Sequence, residues 1–146
     1  MRESSTISLL YVDKDLDMCR IVAAFCERLG SITIKILSSG ESALEWLSKS
    51  SADVIVADYD MSGSMDGITL LREFRSRGNT VPFILFTAHD GCTVREEAYR
   101  NGAFTVINKT SSDRTMIHRL IRTIYWATEN RDFEKNNFPQ NRKHLT

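Results

Sequence analysis

The 146-residue sequence predicts an α/β protein, a three-layer α/β/α sandwich on a five-stranded parallel sheet. Five short apolar runs alternate with five segments of helical periodicity. Four of the runs are apolar almost throughout, as strands buried on both faces of a parallel sheet must be. Parallel neighbours need right-handed crossovers, and each intervening segment reads as the helix that would make one.

Residues 7–12 read as strand 1, and Asp15 is placed to cap the helix that follows. Leu16, Cys19, Val22, Cys26 and Leu29 recur at helical spacing with Phe25 beside them, until Gly30 stops helix 1. Over 31–37, Ile32, Ile34 and Ile36 alternate with Thr33 and Lys35. That period of two suits a strand at the sheet edge. Ser39 caps helix 2, whose core face is Ala43, Leu44 and Leu47. Residues 53–57 form strand 3. Helix 3 starts near Asp66-Gly67 and runs through Leu70, Leu71 and Phe74 to Gly78. Pro82 opens strand 4 (83–86), a tolerated place for proline. Helix 4 covers about 93–101 and ends at Gly102, and strand 5 is 104–107. Ser112 or Asp113 caps helix 5, with Met116, Ile117, Leu120, Ile121 and Ile124 inward. From 128 to 146 the chain is polar and reads as a helix extension or linker beyond a single domain of 1–127. The simplest strand order is 2-1-3-4-5, the flavodoxin-like arrangement, with helices 1 and 5 on one face and 2, 3 and 4 on the other.

The composition narrows the function. Apolar residues make up 42% of the chain and the net charge is zero, so neither nucleic acid nor a membrane is indicated as a partner. The charge is uneven: residues 1–70 carry 11 acids and 6 bases, residues 110–146 carry 4 acids and 7 bases, which reads as an acidic pocket and a mildly basic tail. Cys19, Cys26 and Cys92 form no Cys-x-x-Cys, so no disulfide framework or zinc site is indicated, and Cys19 and Cys26 read as core. With no signal peptide and no apolar run near 18 residues, a reducing, cytoplasmic setting is expected.

Four strand ends carry chemistry: Asp13 after strand 1, Asp58 after strand 3, Thr87 after strand 4 and Lys109 after strand 5. Ligands of open α/β sheets collect at this carboxyl edge, at the switch point between strands 1 and 3. Each residue alone has a plainer reading, as a cap, a strand end or a solvated lysine. Four suitable types at four equivalent ends is improbable by chance. Asp13, Asp58 and Asp60 crowd negative charge that needs a cation. Carboxylate oxygens suit Mg²⁺. A carboxylate beside it is a competent nucleophile toward phosphorus, giving an aspartyl phosphate. Lys109 would neutralise one phosphoryl oxygen and Thr87 would donate to another, with help from backbone N–H groups of 59–61.

The motifs Leu9-Leu10-Tyr11-Val12-Asp13, Val54-Ile55-Val56-Ala57-Asp58-Tyr59-Asp60-Met61, Met65-Asp66-Gly67, Phe83-Ile84-Leu85-Phe86-Thr87-Ala88 and Asn108-Lys109 resemble the receiver domain of two-component response regulators, over about residues 6–127. The resemblance implies a phosphorelay signalling module rather than an enzyme, with self-phosphoryl transfer and autodephosphorylation only. It implies phosphorylation of Asp58 by a histidine kinase or phosphotransfer protein, with Mg²⁺ required. Asp13 would be an acidic-pocket metal ligand alongside Asp58, Asp60 would offer its backbone carbonyl to the metal, Thr87 would be the switch hydroxyl, and Lys109 the lysine of the pattern. Asp60 and His89 stand where the family tunes the lifetime of the phosphate. The resemblance also implies an output or homodimer face of helix 4, strand 5 and helix 5, for which His118, Arg119, Arg122 and Tyr125 are candidates. No DNA-binding helix-turn-helix follows residue 127, so no nucleic-acid contact by this chain is expected.

The chain also departs from the pattern. Receivers carry two adjacent acids after strand 1; here the second place holds Lys14. The loop Met61-Ser62-Gly63-Ser64-Met65 lacks the family's proline and is one residue longer. Thr110 replaces the proline after the lysine, and a cis bond there would cost about 3 kcal/mol. Val106 takes the aromatic switch position. Lys14 opens an alternative: its ammonium replaces the metal and pairs with Asp58, leaving a phosphorylation-independent interaction module. Two remoter rivals remain. Asp58 to Ser62 fits the Asp-x-Asp-x-Thr type motif of haloacid-dehalogenase-like phosphatases, but those place the nucleophile on strand 1 and an acidic pair after the lysine. A flavodoxin would need a Ser/Thr/Gly phosphate loop where Asp13-Lys14-Asp15 stands.

Overall fold

In a computed structural model of the chain, residues 6–89, 91–110 and 114–130 are described. Strands and helices alternate: β1 (Ile7–Val12), α1 (Leu16–Leu29), β2 (Ile32–Leu37), α2 (Gly40–Leu47), β3 (Val54–Ala57), α3 (Gly67–Ser76), β4 (Phe83–Thr87), α4 (Cys92–Arg100), β5 (Thr105–Asn108) and α5 (Arg114–Glu129). All pairings are parallel, in the order β2-β1-β3-β4-β5. This is the predicted flavodoxin-like sandwich.

The period of two sorts each strand between two apolar layers. Leu10, Val12, Ile55, Ala57, Phe83 and Leu85 pack with Ala43 and Leu44 of α2, Leu70, Leu71 and Phe74 of α3, and Val94 and Ala98 of α4. Leu9, Tyr11, Val54, Val56, Ile84 and Phe86 pack with Val22 and Cys26 of α1 and Ile117, Leu120 and Ile124 of α5. β2 has only β1 beside it, and Thr33 and Lys35 stay exposed, as expected of an edge strand.

The predicted caps form. The Asp15 carboxylate accepts from the N–H groups of Asp17 and Met18, and Ser39 accepts from Ser42. Asp66 accepts from the Thr69 N–H at 2.8 Å. Gly30 adopts φ 75°, the left-handed cap that ends α1. The predicted cap at Ser112 or Asp113 lies outside the described residues. α5 runs on to Glu129, two residues into the polar segment, and the rest of that segment lies outside them too.

Two of the residues assigned to the inner face of α1 are not there. Leu16 is 63% exposed and Leu29 48%. Leu16 sits about 120° around the helix from buried Val22, and Leu29 lies in the last turn beside the Gly30 cap. Met18 takes a place on the buried stripe with Cys19, Val22 and Cys26. Cys19 and Cys26 are buried free thiols, and burial pushes both up to about 11, so they stay protonated packing groups.

Candidate functional site

Register builds the site. Val12 pairs with Ala57, so the next residues of two neighbouring strands are Asp13 and Asp58. Thr87 pairs with Asn108, so Lys109 follows one step beyond β4's end. The Lys109 N–H donates to the Thr87 carbonyl at 2.8 Å, and the Asp58 N–H to the Val12 carbonyl at 3.0 Å. All four predicted residues therefore stand at one rim.

Lys109 ties two of them together. Its Nζ donates to Asp13 Oδ2 at 2.8 Å and to Asp58 Oδ2 at 2.9 Å. The ammonium also lies 5.5 Å from the centroid of the Phe86 ring. Its side chain is 9% exposed, against 1% for Asp13 and 12% for Asp58. Burial alone would lower the lysine's pKa. The hydrogen bonds and charges of both carboxylates outweigh that and raise it, so the ammonium stays charged. Asp13 moves up from the ordinary carboxylate range. Burial is the largest cause, opposed by Lys109 and by the Asp15 N–H, which donates to Asp13 Oδ1 at 3.0 Å.

Asp58 is the more accessible carboxylate. Among the described residues its Oδ1 receives only a long 3.4 Å contact from the Asp60 N–H. Thr87 is 1% exposed, and its Oγ1 accepts from the His89 N–H at 3.0 Å, leaving the hydroxyl proton as its donor. Among the described residues no hydrogen bond joins Thr87 to Asp58. Asp60 and His89 meet at the exposed rim: His89 Nδ1 lies 3.6 Å from Asp60 Oδ2, and its ring lies tilted by 40° against that of Tyr59, centroids 4.8 Å apart. Lys14 is exposed. The ammonium paired with Asp58 is that of Lys109.

Neighbouring turns hold the loop after Asp58. Ser62 donates its N–H to the Ser38 carbonyl at 3.0 Å, and the Ser64 hydroxyl donates to Glu41 at 3.1 Å. Gly63 takes φ 85° and absorbs the longer loop without the proline. No cis peptide bond occurs among the described residues, Lys109-Thr110 included.

Two carboxylates within reach of one ammonium are hard oxygen donors of the kind Mg²⁺ accepts while keeping several waters. Among the described residues no cluster of three or more His, Cys, Asp or Glu side chains forms a metal cage. The donor set thus fits a partly hydrated Mg²⁺ held by Asp13 and Asp58.

Sequence reasoning missed Tyr11. Its buried hydroxyl donates to Asp13 Oδ2 at 2.9 Å, and burial followed by the Asp13 charge pushes its pKa far above the usual tyrosine value, so it remains a donor. The signal was the strand period: residues 9, 11 and 13 share a face, which puts a tyrosine directly before an edge acid. Two candidates for the output face also point elsewhere. The His118 ring meets Phe25 of α1 edge-on, and the Tyr125 hydroxyl contacts Ser31 in the turn between α1 and β2. Trp126, 57% exposed against Phe104, lies beside β5 on the same side of α5 as Arg119 and Arg122.

A family model described as the response regulator receiver domain matches residues 9–121. The heme response regulator HssR of Staphylococcus epidermidis is 30% identical over 114 residues, covering 78% of this chain and 50% of that protein. The DNA-binding transcriptional regulator NtrC of Escherichia coli is 35% identical over 78 residues, covering 53% of this chain and 16% of that protein. The chain thus spans half or less of the length of these curated relatives. The receiver domain of the Francisella response regulator 1452 superposes with a TM-score of 0.77 at 26% identity, covering 86% of this chain and 98% of that one.

Proposed function

Since the chain belongs to the response regulator receiver domain family, we propose that it accepts a phosphoryl group on Asp58 from a histidine kinase or phosphotransfer protein, with Mg²⁺, and signals by a change of conformation. The observation that supports this most is the Lys109 ammonium held between Asp13 and Asp58 at 2.8 and 2.9 Å. An Asp58 oxygen attacks phosphorus, a P–O bond forms, and the P–N bond to the donor's imidazole breaks, with the electron pair leaving on nitrogen. Lys109 moves from a carboxylate to a phosphoryl oxygen without changing charge. The Thr87 hydroxyl donates to a second oxygen, and that reorientation is the first step of the signal. Asp13 and Asp58 would hold Mg²⁺, which would supply positive charge against the charge of the transferring phosphoryl group. Water later cleaves the acyl phosphate, with Asp60 and His89 at the rim setting its access.

Beryllofluoride with millimolar Mg²⁺ tests the reading, because it mimics the phosphorylated carboxylate. We expect a large shift of the Thr87 amide resonance. No change would defeat the phosphoacceptor reading and leave a phosphorylation-independent interaction module.

One feature favours that second reading, the base at position 14. An exposed Lys14 next in the chain to Asp13 would weaken Mg²⁺ by removing a ligand and adding like charge. Lys14→Asp is expected to tighten Mg²⁺ binding about tenfold or more, about 1.4 kcal/mol or above, read by titration of the amide spectrum. Unchanged affinity would mean that position 14 does not face the metal. For output we propose the α4–β5–α5 face, including Arg119, Arg122 and Trp126, as the surface for a partner or a second copy.

A further inference from the structure

We propose that Tyr11 is a positioning residue of the acidic pocket: its hydroxyl holds Asp13 in the one orientation that serves Lys109 and a divalent cation together. The inference rests on Asp13 as a metal ligand, as proposed above. The β1 backbone points Tyr11 and Asp13 to the same face of the sheet, under α1 and α5. Both are 1% exposed. Asp13 Oδ2 receives the Tyr11 hydroxyl at 2.9 Å and the Lys109 ammonium at 2.8 Å, while Oδ1 receives the Asp15 N–H at 3.0 Å. A carboxylate offers about four acceptor positions; among the described residues three donors reach this one, which leaves room for a cation or its water.

The hydroxyl fixes Oδ2 as the Asp15 N–H fixes Oδ1. Lys109 also reaches Oδ2, but it is a single point charge on a flexible stem, shared with Asp58, and sets the direction of that oxygen less sharply. The Tyr11 ring is packed in the core layer with Leu9, Val56 and Phe86, so its hydroxyl is a fixed donor. Hydrogen bonds to metal-ligating groups from such outer residues orient the ligand, and their loss commonly weakens metal binding by about 10- to 100-fold. Lys14 stands where a second acid would follow Asp13, so the ligand role falls on Asp13 and Asp58.

Tyr11→Phe removes the hydroxyl and keeps the ring. The test compares wild type, Tyr11→Phe and Val22→Ala, a core variant of α1 that lowers stability without touching Asp13. Two quantities are read: the Mg²⁺ midpoint from amide shifts of Asp58 and Asp60, and the Asp15 amide proton shift without Mg²⁺. We expect Tyr11→Phe to raise the midpoint about tenfold or more and to move the Asp15 amide, because that N–H reports the Asp13 carboxylate directly. Val22→Ala is expected to melt earlier with the wild-type midpoint. The proposal is overturned if Tyr11→Phe binds Mg²⁺ like wild type, or if Val22→Ala weakens it equally, which would mean general loosening. If wild type shows no saturable shift at millimolar Mg²⁺, Asp13 is no ligand and the proposal falls with that reading. Wild-type binding with an unaltered Tyr11→Phe removes the proposal alone.

Discussion

Lys109→Met is expected to destabilise the protein by about 3 kcal/mol at pH 7 and to slow phosphorylation of Asp58 by about 10²- to 10³-fold. The stability loss follows from the pairing. Removing one partner of a buried ion pair leaves the other charge uncompensated, typically at about 3–5 kcal/mol. Here two carboxylates lose one shared cation, and the slight exposure of Asp58 relieves part of the penalty. The rate loss is that of a missing charge-stabilising donor at a reacting centre. The pH dependence has a definite sign. The folded pKa of Asp13 already lies above its unfolded value because of burial, so folding takes up a proton as pH falls through that range. The variant should therefore regain stability on mild acidification, and also on adding millimolar Mg²⁺. In wild type the folded pKa of Lys109 lies above its ordinary 10.5, so its contribution is present below 10.5 and lost as pH rises through the folded value. Urea unfolding at several pH values, with and without Mg²⁺, reads both effects. A Lys109→Met protein as stable as wild type at pH 7, with no response to acid or Mg²⁺, would contradict the shared-cation account.

Gly67→Ala is expected to cost about 2–3 kcal/mol and to disturb the phosphoacceptor together with the fold. The first residue of α3 passes over the backbone of Asp58. A Cβ at Gly67 would meet the Asp58 carbonyl oxygen at 2.3 Å, the Asp58 carbonyl carbon at 3.0 Å and Leu85 Cδ1 at 3.0 Å. A main-chain carbonyl at the end of a central strand has nowhere to go. The Gly67 N–H also donates to the Tyr59 carbonyl at 2.9 Å, so withdrawing the helix breaks the loop. Gly91→Ala is the control, since among the described residues nothing lies within 4 Å of its added methyl; it should change stability by no more than about 1 kcal/mol. Equal melting of the two variants would refute the close approach.

Most of this architecture is legible in the chain because it follows from two local signals. Near-continuous apolar runs mark buried parallel strands, and a polar residue at the end of each run marks the edge where ligands collect. Asp13, Asp58, Thr87 and Lys109 read as such strand-end residues, and the register brings them to one rim. What escaped depends on rotation and on neighbours. Leu16 and Leu29 fit a helical repeat but fall off the buried stripe at the helix ends. His118 and Tyr125 share a face of α5 with each other, yet which neighbour that face meets is set by the sheet order and by α1. The closeness of Gly67 to Asp58 arises from the angle at which α3 leaves its loop, which no spacing encodes. Tyr11 reads as core because it stands in an apolar run, and its hydroxyl gains meaning only once Asp13 is placed two residues along the same strand face.

Intact-mass measurement after exposure to acetyl phosphate and Mg²⁺, on wild type and on Asp58→Asn, tests the phosphoacceptor most directly. Wild type should gain the mass of one phosphoryl group, lost on treatment with hydroxylamine as an acyl phosphate is, and Asp58→Asn should gain none. An unmodified wild type, or an Asp58→Asn variant that takes up the same mass, would contradict the assignment of the nucleophile.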